Sequence, residues 1–284
     1  MREVLTFTAL TYALALLIAV ALPHANLNLL LTTLAPATAV AILTFTMFPR
    51  GTRRELWRGF GLHRSGARTW GAALGVPLVL CAGAFGTALL LGAGRLRPLH
   101  LTGFTAGDFV LTTAVNLLSA LVFLASEEIG FRGFVLPRLQ QLTGKRRAAL
   151  VSGFAHALMH LPLILVATTY DAVGPRWVAA TVAVLTITAA GIFYAWLWDR
   201  SASVWAPAVG HTVANSTFEA GFAAVVTTTP TSLALVAGET GFATLGVVVI
   251  AAVVLLRWAR VWRPAFLDAS ATGGGHAPLT APAA

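Results

Sequence analysis

Long apolar runs recur along the chain from residue 4 to residue 256, separated by short polar segments. A helix that crosses the hydrocarbon core needs about 20 mostly apolar residues, and eight runs approach or exceed that length. None of them alternates apolar and polar residues as barrel strands do, so each is predicted to be a helix. The predicted spans are residues 4–21, 27–48, 70–91, 109–126, 148–166, 177–198, 204–226 and 241–256. The pattern predicts an all-α, polytopic membrane protein with about eight transmembrane helices.

The composition supports this class. Hydrophobic residues make up 57% of the 284 residues and charged residues only 10%, whereas a soluble domain carries about 25% charged residues. A soluble globular protein is therefore excluded. The single cysteine, Cys81, lies inside an apolar run and is predicted to be a packing residue. It excludes an internal disulfide and a zinc site built from several thiolates.

The basic residues fall in short clusters between the apolar runs. If the N-terminus is cytoplasmic, eight spans place every Lys and Arg on the cytoplasmic side except Arg95, Arg97 and Arg176. Cytoplasmic loops carry an excess of Lys and Arg, so both termini are predicted to be cytoplasmic, with the protein in the plasma membrane. The net charge of +9 then reflects orientation in the lipid bilayer. No nucleic-acid partner is predicted, because the charges form no single patch or tail.

The predicted spans divide the chain into three regions. Residues 1–69 contain the first two helices and a basic cytoplasmic loop, and the first helix is interpreted as an uncleaved span and not as a signal peptide. Residues 70–258 hold the remaining spans and are predicted to form the functional domain within the helix bundle. Residues 259–284 are predicted to be a disordered cytoplasmic tail, since the segment from Pro264 onwards has little to bury.

Ionisable residues inside the spans are the candidates for function. Each costs several kcal/mol in hydrocarbon unless it is paired or hydrated, and most acids and histidines of this chain fall instead in loops or at helix ends. The residues that remain, together with two polar neighbours, are Glu127, Glu128, Arg132, His156, His160, His211, Asn215 and Glu219.

Glu127 and Glu128, the acidic pair, lie at the end of the fourth predicted span. Glu128 and Arg132 are four residues apart and can pair on one helix face, whereas Glu127 is turned about 100° away and can face a polar cavity. One carboxylate would then be structural and the other chemical. The alternative is a pair of acids at a helix end that reach out to water beside an arginine.

Two later spans each carry a polar pair at one-turn spacing. His156 and His160 can face the same interior, and His211 and Asn215 can present two hydrogen-bond donors to one point. Glu219 extends the second face by another turn, and both a cavity role and a structural role remain open for it. The depths of these residues predict one polar pocket in the inner half of the membrane, open to the cytoplasm.

A carboxylate, a nearby histidine and a pair of donors are the parts that amide hydrolysis by activated water requires. No serine or cysteine is placed beside a base, so a covalent intermediate is the weaker interpretation. Two other classes remain open. A transporter could use the same residues to bind a substrate or relay protons, although the polar residues cluster in the second half only. A non-catalytic scaffold or immunity protein could keep the same pocket.

The order of these motifs resembles that of a known family. Glu-Glu-x-x-x-Arg, a helix with His before Leu-Pro, and His-x-x-x-Asn on successive helices are similar to the CAAX-protease and bacteriocin-processing family, also called Abi. The resemblance extends from Trp70 to about Leu256. It implies an intramembrane endopeptidase whose substrates are membrane-associated peptides or proteins, including prenylated CAAX proteins that lose three C-terminal residues.

The resemblance also implies roles for the candidate residues. Glu127 would activate water together with His160, His211 and Asn215 would form the oxyanion site, and Glu128 and Arg132 would brace the pocket. Many members carry Phe where this chain has His156, so His156 could replace His160 or extend the polar network. Two histidines and a carboxylate could hold Zn²⁺, but no His-Glu-x-x-His helix is present. No obligatory metal is predicted.

Overall fold

The computed structural model describes residues 1–25, 27–97, 106–167, 175–227 and 230–262. Within these ranges the chain is almost entirely helical. The helices are α1 (Arg2–Ala21), α2 (Leu27–Thr46), α3 (Arg53–Gly59), α4 (Trp70–Leu90), α5 (Ala106–Glu128), α6 (Leu136–Thr143), α7 (Lys145–Met159), α8 (Leu161–Leu165), α9 (Arg176–Ser201), α10 (Trp205–Ala224), α11 (Pro230–Ala237) and α12 (Phe242–Trp258). A π-helix, Ile129–Val135, joins α5 to α6.

The predicted all-α membrane fold is confirmed. Seven helical segments of the described chain are long and apolar enough to cross a membrane. The one predicted span outside that set, 204–226, corresponds to α10, a 20-residue helix. It carries His211, Asn215 and Glu219 and packs between α4, α5 and α9. Its polar residues keep its hydropathy below that of the seven helices.

Large apolar side chains on the outer helix faces are exposed, as expected of a surface that contacts lipid. Examples are Leu17 on α1, Val79 on α4 and Ile250 on α12. The interior contains many small residues, which let helices approach closely. A Cβ added to Gly191 of α9 would lie 2.6 Å from the Cα of Gly153 on α7. Helix α7, which carries His156, and helix α9 are therefore in backbone contact.

The helices alternate between two ends of the bundle. We call one the basic end, because it holds the loop between α2 and α4 with its cluster of arginines. This loop covers the α9–α10 turn: Trp205 donates to the carbonyl of Leu62 at 2.9 Å, and the Ser203 hydroxyl donates to the carbonyl of Arg64. The opposite end, the far end, is marked by a two-residue antiparallel pair of strands, β1 (Arg95–Leu96) and β2 (Val225–Val226).

Some sequence predictions differ from the structure at the chain ends. Residues Arg260–Trp262 form a 3₁₀ helix, and the Trp262 indole is buried and donates to Asp199 at 2.7 Å. The disordered tail predicted from residue 259 therefore does not include this segment, because a tryptophan gains burial and a hydrogen bond there. The remainder of the predicted tail, 263–284, lies outside the described residues. Pro98 and Gly174, which separate predicted spans in the sequence, also lie outside the described residues.

The first two helices, α1 and α2, pack against the segment that carries the candidate site. Phe7 of α1 is fully buried, with its ring centroid 5.6 Å from that of Phe131 and 5.5 Å from that of Phe134. A Cβ on Gly130 would meet Pro36 of α2 at 2.5 Å. Residues 1–69 thus pack directly on the π-helix, which follows the acidic pair.

Candidate active site

The acidic pair lies at the junction between α5 and the π-helix. Glu127 and Glu128 are 1% and 0% exposed, so both carboxylates are removed from solvent. A π-helix changes the register of hydrogen bonds and is frequent at functional sites. The Ser152 hydroxyl on α7 donates to the carbonyl of Phe131 at 3.0 Å, which satisfies a backbone acceptor in this segment. The junction is thus held by contacts from α7.

Glu128, Arg132, His156 and Glu127 form one continuous hydrogen-bonded chain. Nη1 of Arg132 lies 3.1 Å from Oε1 of Glu128 and 2.9 Å from Nδ1 of His156. Nε2 of His156 lies 2.9 Å from Oε2 of Glu127. The predicted pairing of Glu128 with Arg132 is confirmed. Arg132 contacts Glu128 directly and is connected to Glu127 through His156.

The arginine determines the tautomer of His156. A guanidinium group only donates hydrogen bonds, so Nδ1 of His156 must accept from Arg132. The ring proton is therefore on Nε2, where it donates to Glu127. His156 is a neutral donor that holds one oxygen of Glu127, while the other oxygen, Oε1, has no hydrogen-bond partner among the described residues.

His211 on α10 completes the cluster from the other side. Its Nδ1 lies 3.0 Å from Oε1 of Glu128 and 3.8 Å from Oε2 of Glu127. The imidazole stacks on the ring of Tyr194, with centroids 4.9 Å apart, and the Arg132 guanidinium carbon lies 5.1 Å from the centroid of the same ring. Tyr194 thus packs against both His211 and Arg132, which also share Oε1 of Glu128.

The remaining predicted residues lie along a cavity next to this cluster. His160 follows the last residue of α7, its ring centroid is 5.4 Å from that of His156, and its buried Nδ1 has no hydrogen-bond partner in the described chain. Asn215 and Glu219 lie on the cavity wall formed by α10. The structure therefore brings all the predicted residues to one site, but His156, and not His160, is hydrogen-bonded to Glu127.

The cavity has a volume of about 720 Å³ and extends from Glu127 toward the far end. On α5 its lining begins at Asn116 and ends at Glu127, and at the far end it includes the exposed residues Leu29 and Leu30. No residue of the basic-end loop, of the π-helix or of α6 lines it. Those segments pack tightly beneath the site. The sequence predicts a pocket open to the cytoplasm, and in the structure the lining extends from the catalytic cluster toward the far end and does not reach the basic end.

Several polar lining residues were missed by the sequence reasoning. Asn116 and Ser119 precede Glu127 on the same helical face, and Tyr194 lies on α9. Glu239 lies in the turn between α11 and α12 and also lines the cavity. Two signals could have found them: the helical spacing of the polar residues before Glu127, and the break at Gly238 and Gly241 inside an apolar stretch.

Three potential metal ligands lie close together in the described chain. Ligand atoms of Glu127, His156 and His160 are all within 4.8 Å of one another. A catalytic zinc site generally has three protein ligands. Both nitrogens of His156, however, are already used, since Nδ1 accepts from Arg132 and Nε2 carries the proton given to Glu127. Only Glu127 and His160 have atoms available, so this arrangement does not fit a three-ligand zinc site.

Comparison with protein families agrees with the fold and the site. The helical fold and the buried side chains described above define an integral membrane protein with a carboxylate-centred site of the type expected for intramembrane hydrolysis. Residues 109–217 match the family described as Type II CAAX prenyl endopeptidase Rce1-like. The match contains all three motif blocks and confirms the resemblance, although it is narrower than the predicted 70–256. It supports CAAX-type intramembrane proteolysis in general. No curated protein shows a significant match to the chain.

Proposed function

We propose that this protein is an intramembrane endopeptidase that hydrolyses a peptide bond of a membrane-associated peptide or protein, with Glu127 as the general base. The observation that carries the proposal is the asymmetry of the Glu127 carboxylate. His156 holds Oε2, while Oε1 is buried, lacks a partner in the described chain and belongs to a residue on the cavity wall. A carboxylate oxygen in this position can take a proton from a water molecule in the cavity.

The reaction has three steps. Glu127 removes a proton from water, and the water oxygen bonds to the carbonyl carbon of the substrate. The carbonyl carbon becomes tetrahedral, and its oxygen becomes an oxyanion. The proton is then delivered to the amide nitrogen as the C–N bond breaks, which yields a carboxylic acid and an amine. His160, with an unpartnered Nδ1 next to the cavity, is the group that we assign to water binding and proton transfer with Glu127.

Asn215 and His211 are the proposed oxyanion donors, in keeping with the resemblance. The Asn215 amide donates in any protonation state. His211 differs, because its Nδ1 already faces Glu128. It can donate to an oxyanion through Nε2 only when both ring nitrogens carry protons. Glu128 and Arg132 act indirectly, by positioning His211 and His156.

We further propose that no metal is obligatory and that both termini lie on the cytoplasmic side of the plasma membrane. The hydrogen bonds of His156 support the first statement, since a metal on Nε2 would need the proton moved to the nitrogen that accepts from Arg132. The arginine clusters at the basic end support the second. In this orientation the catalytic cluster lies nearer the cytoplasmic face, and the cavity extends away from it.

The test is the substitution Glu127→Gln in the full-length protein in membranes. We expect a loss of proteolysis of about 10³-fold, because the amide keeps the shape of the side chain and cannot take a proton from water. Glu55→Gln, the same change at an exposed position of α3, is the matched control and should leave proteolysis unchanged. New protein termini in membranes that contain wild-type protein but not the Glu127 variant would identify substrates. Preserved turnover in Glu127→Gln would end the proposal.

A further inference from the structure

A second pocket, of about 440 Å³, lies at the basic end between the last turn of α2 and the short helix α3. Phe45 of α2, Trp57 of α3 and Leu62 form the apolar part of its wall. Phe45 is 69% exposed, and α2 is one of the helices long and apolar enough to cross the membrane. Helix α4, which follows the same loop, begins at Trp70, and this indole donates to the carbonyl of Ser65 at 3.0 Å. The pocket therefore lies at the level where two spans leave the bilayer.

The charged groups on this pocket are cationic. Its lining includes Arg53, Arg54 and Arg58, and no carboxylate of the described residues lines it. Arg53 is used by the end of α2, since it donates to the carbonyls of Phe45 and Phe48, both at 3.0 Å. Arg54 and Arg58 are exposed, lie one turn apart on α3, and make no hydrogen bond or ion pair within the described part of the chain. Two guanidinium groups are thus available to an anion.

Orientation in the membrane does not by itself explain this convergence. The excess of Lys and Arg in cytoplasmic loops depends on their number near the spans, and Arg50, Arg64 and Arg68 contribute to that number without lining the pocket. Guanidinium groups bind phosphate through paired N–H donors. Basic clusters next to a span recognise anionic headgroups, and aromatic rings are favoured at the same depth.

We infer that this pocket binds one anionic phospholipid from the leaflet at the basic end. Arg54 and Arg58 bind its phosphate, while Phe45 and Trp57 contact its glycerol and upper acyl carbons. The positive charge favours this occupant over a zwitterionic lipid, because the arginines repel a cationic headgroup. A free phosphate ion would satisfy the arginines and leave the aromatic wall exposed to water.

The pocket is connected to the segment beneath the candidate active site. The ring of Trp57 meets that of Phe60 edge to face, with centroids 5.2 Å apart. Phe60 is 1% exposed and packs under the π-helix, where a Cβ added to Gly133 would lie 3.1 Å from its ring. Gly133 directly follows Arg132 of the hydrogen-bonded cluster. A lipid that restrains α3 should therefore also stabilise the packing beneath the π-helix.

The experiment measures lipid binding to the purified full-length protein by native mass spectrometry. Phosphatidylglycerol and phosphatidylcholine with identical acyl chains are the probes. We expect one phosphatidylglycerol to be retained, with an affinity about 10-fold higher than that of phosphatidylcholine, and excess inorganic phosphate should not displace it. Phosphatidylglycerol should also raise the temperature of thermal unfolding by about 5 °C more than phosphatidylcholine does.

Variants separate the pocket from the general charge of the basic end. Arg54→Gln/Arg58→Gln should weaken phosphatidylglycerol binding about 30-fold and Arg54→Lys/Arg58→Lys by no more than about 5-fold. The control is Arg146→Gln/Arg147→Gln, which removes the same charge at exposed positions of α7 outside the pocket and should bind like the wild type. Equal losses in the two glutamine pairs would overturn the inference. So would equal affinity of the wild type for both lipids, or displacement by inorganic phosphate, and these two results need no variant to fold.

Discussion

Nε2 of His156 donates a hydrogen bond to Oε2 of Glu127 across 2.9 Å, and the two residues lie 29 positions apart on different helices. The arginine at position 132 makes this direction of donation obligatory. A buried carboxylate therefore has one oxygen fixed and the other available toward the cavity. Because of this hydrogen bond, His156 and not His160 is the histidine that positions Glu127, the proposed base.

Substitution of His156 should separate positioning from simple packing. His156→Phe keeps an aromatic ring against Phe131, whose ring stacks on His156 with centroids 4.5 Å apart, but it removes both hydrogen bonds. We expect kcat to fall about 100-fold, because displacement of a catalytic group by 1 Å is sufficient for such a loss.

His156→Gln is the conservative variant, since its amide can accept from Arg132 and donate to Glu127. It should retain activity within about 10-fold of the wild type. Measurement of kcat and KM for both variants checks this prediction. Equal losses in the glutamine and phenylalanine variants would contradict the positioning role.

Removal of the buried arginine should destabilise the protein strongly. Arg132→Met leaves Glu128 as a buried charge whose remaining polar neighbour in the described chain is His211. Loss of one partner of a buried ion pair costs about 3–5 kcal/mol. Thermal unfolding in detergent should show the change, with Arg146→Met, at an exposed position, as the control. A variant as stable as the control would show that Arg132 does not neutralise the acidic pair.

The close contact between α7 and α9 should not tolerate a methyl group. In Gly153→Ala the new Cβ would lie 2.7 Å from the carbonyl oxygen of Thr188, so the helices would have to separate. We expect a loss of about 1–3 kcal/mol in stability and lower activity, because α7 carries His156 and is followed directly by His160. Gly86→Ala on α4, where no atom lies within 4 Å of the added Cβ, should be neutral or slightly stabilising.

Chelation should leave proteolysis intact if water is activated by Glu127 and His160 without a metal. We expect full activity after treatment of the purified protein with EDTA and with 1,10-phenanthroline, and less than stoichiometric zinc by elemental analysis. The physical reason is that His156 has no free nitrogen to offer a metal. Activity that is lost on chelation and restored by Zn²⁺ would require His156 to exchange its hydrogen bonds for a metal bond.

The sequence by itself determined the class of this protein and the ionisable residues at the centre of its candidate site. Apolar runs of membrane length can satisfy their backbone only as helices, and an ionisable residue inside such a run must find a partner. Those two rules were sufficient to single out Glu127, Glu128 and the three histidines. The one-turn spacing of Glu128 and Arg132 also predicted their ion pair, because such a contact depends on a single helix.

Only the tertiary structure decided how these residues meet. The choice of His156 over His160 as the partner of Glu127 depends on the π-helix and on the approach of α7 to α9, which spacing along one helix does not specify. The direction of the cavity depends on how the helices pack, and Glu239 joins it from a break in an apolar stretch. Local periodicity fixes which face of a helix is polar, whereas contacts between helices fix which polar faces converge and where the space between them opens.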